Sequence, residues 1–154
     1  MIAVVDPGLA NTGVLITDGK SILAGRTFST PGDGYRTDFS EAVRRSLLQA
    51  GRIVACCMEH DVTLAVVESY RDIPGALRGA RNRWTTPLMI GVLAAHLEVA
   101  GISDVWQDPE KVMRAYKEAT AMWERGYKGI IAGDECVTNA HLRSAGAHML
   151  AYIA

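Results

Sequence analysis

The sequence is poor in cysteine and has no long hydrophobic run. Three of its 154 residues are cysteine, namely the neighbours Cys56 and Cys57 and the distant Cys136. This number and spacing exclude a disulfide framework and a paired zinc-binding motif, so we expect reduced thiols in the core. No stretch reaches the roughly 20 apolar residues of a membrane span, and no basic segment precedes the apolar start as it does in a signal peptide. We therefore expect a soluble, cytoplasmic protein.

The sequence also lacks the excess of positive charge that marks most nucleic-acid-binding domains. Its formal net charge is −1, whereas domains that track phosphates are usually basic overall. The arginines are unevenly spread, however, since Arg71, Arg78, Arg81 and Arg83 lie close together with a single acid, Asp72, among them. A local positive patch on a neutral protein is therefore compatible with the sequence.

Apolar residues, in contrast, are plentiful. They make up 49% of the chain, which is enough buried surface to offset the conformational entropy lost on folding. The length suits one domain, and we expect a single domain over residues 1–154. Hydrophobic periodicity and turn residues predict an α/β chain in the order βββαβαβαα. The predicted strands cover 2–5, 13–17, 21–29, 64–67 and 103–107, and the predicted helices cover 39–58, 86–101, 108–123 and a last segment from 139.

A capping pattern marks the start of the first helix. Asp38 and Glu41 have the three-residue spacing of a capping box. Apolar residues then recur at three- and four-residue steps, which predicts an amphipathic helix packed on the sheet. Its predicted apolar face comprises Phe39, Val43, Leu47, Ala50, Val54 and Met58.

Two acids stand at the ends of predicted strands. Asp6 and Glu68 each follow four apolar residues, so they converge at one edge of the sheet if their strands are neighbours. Two carboxylates held together repel, and a divalent cation relieves the repulsion; carboxylate ligands favour Mg²⁺ or Mn²⁺ over zinc. Gly8 and Gly13 leave backbone without side chains beside Asp6, with room for a phosphate. The alternative is that each acid simply follows its strand into solvent.

The last predicted helix carries two histidines on one face. His141, Ser144, Ala145 and His148 are spaced i, i+3, i+4 and i+7, so all four share that face. A histidine there can complete a metal site with the two acids. The alternative is that both histidines are partners of ordinary polar groups.

Four segments carry a recognisable pattern in order along the chain: Ile2–Gly13, Ala65–Glu68, Trp106–Val112 and Asn139–Ala145. They resemble the opening motif, the second acidic motif, a strand-to-helix junction and the C-terminal helix motif of the RuvC family of Holliday-junction resolvases. The third segment is similar to phage members above all. The resemblance implies an RNase H-like fold, a mixed five-stranded sheet flanked by helices, and the predicted order of elements agrees with it.

The resemblance implies a crossover junction endonuclease that acts in DNA recombination and repair. Its catalysis would be two-metal-ion hydrolysis with Mg²⁺ or Mn²⁺, leaving 5′-phosphate and 3′-hydroxyl ends. Asp6, Glu68 and His141 would be the metal ligands, with Asp6 as the bridge between two ions.

One position departs from the family pattern. The family has an acid three residues after the position of His141, and this chain has Ser144 there. Either the site works with fewer carboxylates, or His148, Asp134 or Glu135 substitutes, or metal affinity and activity are reduced. Ser144 and His148 are therefore counted with Asp6, Glu68 and His141 as catalytic candidates.

Contact with branched DNA is implied for the segment after Glu68. Tyr70 would stack against splayed bases; the alternative is a half-buried tyrosine in a solvated loop. Lys111 and Lys117 either contact phosphates or belong to an ordinary exposed helix face. The DNA-contacting candidates are Tyr70, Arg71, Arg78, Arg81, Arg83, Lys111 and Lys117.

The resemblance also implies a homodimer, because two symmetric strands are cut across a two-fold junction. The helix Leu88–Ala100 is predicted to serve as interface, as central core helix, or as both. Two other functions remain open. One is a nuclease of the same fold that acts on RNA or on other branched DNA, and the other is a junction-binding protein with weakened catalysis.

Overall fold

A computed structural model describes residues 1–30, 38–70, 84–109, 112 and 140–153. Most of the predicted helix over 108–123, and the predicted cap at Asn139, lie outside these residues. The described elements follow the predicted order. They are strands β1 (Ile2–Asp6), β2 (Asn11–Thr17), β3 (Ile22–Ser29), β4 (Leu64–Glu68) and β5 (Ser103–Gln107), and helices α1 (Phe39–Glu59), α2 (Thr85–Val99) and α3 (Ala140–Ile153).

The five strands form one mixed sheet in the order β3-β2-β1-β4-β5. β1 is antiparallel to β2, and β2 is antiparallel to β3. On its other side β1 runs parallel to β4, which runs parallel to β5. The predicted five-stranded sheet is therefore confirmed, and its central strand, β1, lies directly beside β4.

Each face of the sheet has its own core, because successive side chains of a strand point to opposite faces. Ala3 and Val5 of β1 pack with α1 and α2 in the larger cluster. Val4 of β1 and Val66 of β4 pack with α3 in the smaller cluster, which includes Leu142. The sheet is thus covered by α1 and α2 on one face and by α3 on the other.

Helix α1 starts where the capping pattern predicted. Asp38 is its N-cap and accepts a hydrogen bond from the Glu41 backbone N–H at 2.8 Å. The predicted apolar face is partly wrong, however, since Phe39, Leu47 and Met58 are 67%, 47% and 64% exposed. The face that is buried instead comprises Ala42, Arg45, Ser46, Gln49, Ala50, Ile53, Val54, Cys56 and Cys57.

Two polar side chains explain this rotation of α1. Arg45 is buried, and its guanidinium donates to Thr30 Oγ1 at 2.9 and 3.1 Å. Gln49 is fully buried and donates to the loop after β1. Because the donor groups of both side chains are hydrogen-bonded inside the protein, the cost of desolvating these donors is offset and the side chains can take core positions.

Helix α2 is apolar on nearly all sides and ends at a glycine. Met89, Leu93 and Leu97 are its fully buried side chains, which confirms α2 as a core helix. Gly101 follows its C-cap with a φ of +69°, a left-handed conformation that favours glycine. The helix contains Pro87 in its first turn, a position where proline is tolerated. Within the described residues no helix has the length and apolarity needed to cross a membrane.

Thiol alkylation tests how deeply the two adjacent cysteines are buried. Burial raises the pKa of Cys57 to about 12, so its thiolate fraction at pH 8 is roughly a thousandfold below that of an ordinary cysteine. We expect iodoacetamide at pH 8 to label Cys57 at least about a hundredfold more slowly in the folded protein than in urea. Peptide mass spectrometry reports each cysteine separately, and equal rates in both states would show that the thiol is not buried.

Candidate active site

The two strand-end acids lie side by side on the α3 face of the sheet. Ala3 pairs with Ala65 and Val5 with Val67 in the parallel β1–β4 ladder, so the two strands end together at Asp6 and Glu68. Alternate residues of a strand point to the same face of the sheet, so Asp6 points the same way as Val4, and Glu68 the same way as Val66. The side chains of Val4 and Val66 pack against α3. Sequence and register therefore direct both carboxylates toward α3.

Helix α3 brings one histidine to each acid. His141 Nδ1 lies 2.9 Å from Asp6 Oδ2, and His148 Nε2 lies 3.2 Å from Glu68 Oε2. The hydroxyl of Ser144, between the two histidines on the same face, donates to Glu68 Oε2 at 3.3 Å. The structure thus places all five catalytic candidates together, and their roles as ligands or catalysts remain a prediction.

The surroundings of the two carboxyl groups shift their pKa values in opposite directions. Burial raises the pKa of Asp6, the charge of Glu68 adds to that increase, and the hydrogen bond from His141 opposes it. Burial acts to raise the pKa of Glu68 as well, but the hydrogen bond and charge of His148 outweigh it and hold that pKa below its ordinary value. The hydrogen bond to Asp6 raises the pKa of His141 in spite of partial burial. The pair therefore favours either one shared proton or one cation between its oxygens.

The loop after Asp6 is fixed by a glutamine of α1. Gln49 Nε2 donates to the Gly8 carbonyl at 2.7 Å and to Thr12 Oγ1 at 2.6 Å. The Thr12 hydroxyl also donates to the Gly8 carbonyl, at 3.0 Å. These bonds join both ends of the turn to a buried side chain, so the backbone that follows Asp6 is held at a set position relative to the sheet.

Gly13 allows α3 to approach the sheet. It pairs with Asp6 in the β1–β2 ladder, and a Cβ atom at this position would lie 2.5 Å from the carbonyl carbon and oxygen of His141 and 2.8 Å from the backbone nitrogen of Leu142. Such distances are far inside van der Waals contact. Only a residue without a side chain lets the first turn of α3 lie where His141 reaches Asp6.

A cavity of about 250 Å³ opens beside the acids. Tyr70, which is 39% exposed, stands at its wall. Its lining combines the two carboxylates with hydroxyl groups and apolar side chains, as is typical of a ligand pocket. The lining residues are Asp6, Pro7, Glu68, Ser69, Tyr70, Thr86, Ile90 and Pro109.

Six of the predicted DNA-contacting residues lie outside the described residues, and the two acids suggested as substitutes for Ser144 do as well. Tyr70 alone of that predicted set can be placed, and it borders the cavity. The unplaced residues are Arg71, Arg78, Arg81, Arg83, Lys111, Lys117, Asp134 and Glu135.

Sequence reasoning missed two glutamines of the site. Gln49 fixes the loop after Asp6, and Gln107 Oε1 lies 2.9 Å from His148 Nδ1. The signal for Gln49 was a polar residue between the buried positions of α1, and the signal for Gln107 was a polar residue at the end of a predicted strand. Neither signal identifies its partner without the structure.

A second group of potential metal ligands lies at the end of α1. Cys56, Glu59 and His60 offer ligand atoms within 4.8 Å of one another. Glu59 is already paired with Arg26 at 3.0 Å, and burial raises the pKa of the Cys56 thiol, which disfavours the thiolate that metals bind. We assign no metal to this group.

Two solved structures resemble this chain over nearly its whole length. T. thermophilus RuvC in complex with a Holliday junction substrate matches with a TM-score of 0.69 at 18% sequence identity, covering 97% of this chain and 90% of that chain. A second structure of Thermus thermophilus RuvC matches with a TM-score of 0.66 at 20% identity, covering 97% of this chain and 91% of that one. No protein-family model and no curated protein matches the sequence. At these identities the likeness establishes the fold, and the chain has the RNase H-like fold of these structures.

Substituting Gly13 tests whether close approach of α3 assembles the site. In Gly13→Ala the new Cβ meets backbone atoms that cannot rotate away, so α3 must shift, and we expect a loss of about 1–3 kcal/mol in the free energy of unfolding. The shift lengthens the contact between His141 and Asp6, so the pKa of His141 falls toward its ordinary value. Denaturant unfolding and an NMR titration of His141 in the metal-free protein measure the two effects.

Gly51→Ala is the matched control. Gly51 lies within α1, and a Cβ there meets nothing within 4 Å, so we expect a gain of about 0.5–1 kcal/mol with no change at His141. An unchanged His141 titration in Gly13→Ala would contradict the role given to this glycine.

Proposed function

We propose that the protein is a divalent-cation-dependent endonuclease that cleaves four-way DNA junctions, and that residues 1–154 form its single nuclease domain. The observation that carries this proposal is the convergence of Asp6, Glu68 and His141 beside an open cavity. These three residues come from two strands and a helix that are distant in sequence, and a common ligand explains why they gather.

The spacing of the polar atoms suits a small, hard cation. Mg²⁺ has ligands at about 2.0–2.1 Å in octahedral geometry, which separates neighbouring ligand atoms by about 3 Å. His141 Nδ1 and Asp6 Oδ2 are 2.9 Å apart, and Glu68 lines the same cavity as Asp6. The oxygen-rich donor set favours Mg²⁺ or Mn²⁺ over softer metals. Asp6, Glu68 and His141 are therefore the residues that would hold the cation.

When bound, such cations activate a water molecule for attack on a phosphodiester and stabilise the leaving oxygen. With such ions held by Asp6, Glu68 and His141, hydrolysis would leave 5′-phosphate and 3′-hydroxyl ends on the products. The chain's own part is to position the reacting groups. Asp6 is held by the fixed loop after β1, and Glu68 is held by donors on α3.

A branched DNA substrate is the favoured choice. One of the two similar structures is of a RuvC bound to a Holliday junction, and Tyr70 offers an exposed ring at the edge of the cavity. A tyrosine ring can stack on a base that has left its duplex. The segment over 71–83 adds the arginines that would neutralise phosphates. We place this activity in the cytoplasm of a bacterium or of a phage-infected cell, as in the phage-type resolvases that the sequence resembles.

We propose a homodimer built on the outer face of α2. Gly91, Ala95 and Val99 are exposed on that face, Val99 by 89%, and a Cβ atom at Gly91 would meet nothing within 4 Å. Apart from Glu98, which is exposed on the same side, these residues are apolar and have small side chains, so the α2 helices of two copies can approach each other closely. A dimer with two-fold symmetry would present one site to each of the two symmetry-related strands of a four-way junction.

A second candidate function is junction binding with weak catalysis. Ser144 favours it, because this residue contributes a hydrogen bond to Glu68 in place of a charge. A site with fewer negative charges binds cations less tightly. A nuclease of the same fold that prefers RNA or other branched DNA is the further alternative, and a panel of substrates distinguishes all three.

Asp6→Asn tests the catalytic proposal. The amide keeps the shape of the side chain and removes its negative charge, so we expect junction cleavage with Mg²⁺ or Mn²⁺ to fall by about 10²–10³-fold or more, while junction binding is retained. Cleavage of labelled four-way junctions and a gel-shift assay measure the two properties. Asp18→Asn is the matched control, since Asp18 caps the exposed β2–β3 turn with backbone hydrogen bonds that an amide oxygen can also accept.

The wild-type protein decides between the alternatives in the same assays. Tight junction binding without cleavage at any metal concentration would favour the binding protein. Preferential cutting of structured RNA or of flaps, when these are offered beside junctions, would favour a different substrate. Undiminished cleavage by Asp6→Asn would contradict the assignment of the site itself.

Ala95→Arg tests the proposed dimer. A long side chain at the centre of the α2 face should separate the two copies, because two closely packed helices leave no room for it. We expect sedimentation to show a dimer for the wild type and a monomer for the variant, at unchanged thermal stability of the fold. Ala55→Arg, at an exposed alanine of α1, is the control and should remain dimeric.

A further inference from the structure

We propose that His148 is a positioning residue, held by Gln107, that fixes Glu68 through one carboxylate oxygen and leaves the other oxygen for the cation. This inference rests on the proposed function, because it assigns a role beside the same acids. It differs from the sequence-based suggestion that His148 replaces a missing acidic ligand.

Both ring nitrogens of His148 already have partners. Nε2 lies 3.2 Å from Glu68 Oε2, and Nδ1 lies 2.9 Å from Gln107 Oε1. A histidine binds a metal through a ring nitrogen that carries no proton and faces the ion. His148 is also 1% exposed, so its ring does not reach the open cavity. The geometry therefore makes it a support for a ligand.

The two donors on α3 meet the same oxygen of Glu68. His148 Nε2 and the Ser144 hydroxyl lie 3.2 and 3.3 Å from Oε2. Two donors at one oxygen fix the rotation of the carboxylate group, because a swing of either oxygen breaks both bonds at once. Oε1 is then the oxygen left to serve the cavity that Glu68 lines.

Gln107 is placed by the sheet. It pairs with Glu68 in the parallel β4–β5 ladder, so strand register, and not side-chain choice, sets its distance from the acid. A second anchor comes from Ser69, whose backbone N–H donates to the Gln107 carbonyl at 2.8 Å. A ring held at one nitrogen by a rigid strand end has little freedom at the other. Gln107, His148 and Glu68 thus form a short chain of contacts that ends at Glu68 Oε2 and leaves Oε1 for the cation.

Metal affinity is the property this chain of contacts should control. Removal of groups that orient a metal ligand typically lowers metal affinity by about 10–100-fold. We expect His148→Leu to weaken Mn²⁺ binding by that factor and His148→Gln to recover part of it, because an amide can still donate to Glu68. Gln107→Ala should weaken binding by about tenfold in the wild-type background and have little further effect in His148→Leu. His96→Leu is the matched control, since His96 lies in α2 with its ring nitrogen against the Val92 carbonyl.

Calorimetric titration with Mn²⁺ measures the four affinities of this cycle, and thermal unfolding of the metal-free variants shows that each is folded. Electron spin-echo spectroscopy of bound Mn²⁺ supplies a second measurement, which a purely structural role would not move. We expect the ¹⁴N modulation from a coordinated histidine to be the same in wild type and His148→Gln, and to be lost in His141→Gln.

The outcomes separate the two proposals. Loss of ¹⁴N modulation in His148→Gln would make His148 a ligand and overturn the inference, while the nuclease proposal stands. Additive effects of the Gln107 and His148 substitutions would also overturn it, because the two residues would then act separately. Failure of the wild-type protein to bind Mn²⁺ would overturn both proposals.

Discussion

The parallel pairing of β1 with β4 is the constraint on which the site depends. It ends two apolar strands at the same edge of the sheet with an acid each, on the same face. Two partly buried carboxyl groups side by side are unfavourable together, and a fold that keeps them must compensate. The residues that contact Asp6 and Glu68 offset this unfavourable pairing.

The compensation is divided between the two acids. Asp6 has His141 at one oxygen and a loop fixed by Gln49. Glu68 has His148 and Ser144 at one oxygen. Each acid thus contacts one histidine of α3. A glutamine supports each contact: Gln49 of α1 holds the loop after Asp6, and Gln107 of β5 holds the ring of His148. The site is therefore supported from α1, from the sheet and from α3 at once.

Much of this could be predicted from the sequence, for identifiable reasons. Apolar runs that end in Asp6 and Glu68 mark strand ends directly, and helical spacing places His141 and His148 on one face. The rotation of α1 could not be predicted, because burial of Arg45 and Gln49 depends on acceptors at Thr30 and Gly8. The part played by Gln107 depends on the register between β4 and β5, which local sequence does not encode.

Gly13 was predicted to leave space, and the structure shows that a helix backbone fills that space. This has a consequence for the order of events during synthesis. Helix α3 supplies the cover of the smaller core cluster together with the side chains that meet Asp6 and Glu68. A nascent chain that has emerged only as far as β5 contains Asp6 and Glu68, but it lacks the histidines and the serine of α3 that contact them. The five side chains of the candidate site thus come together only after α3 has been synthesised and has docked on the sheet.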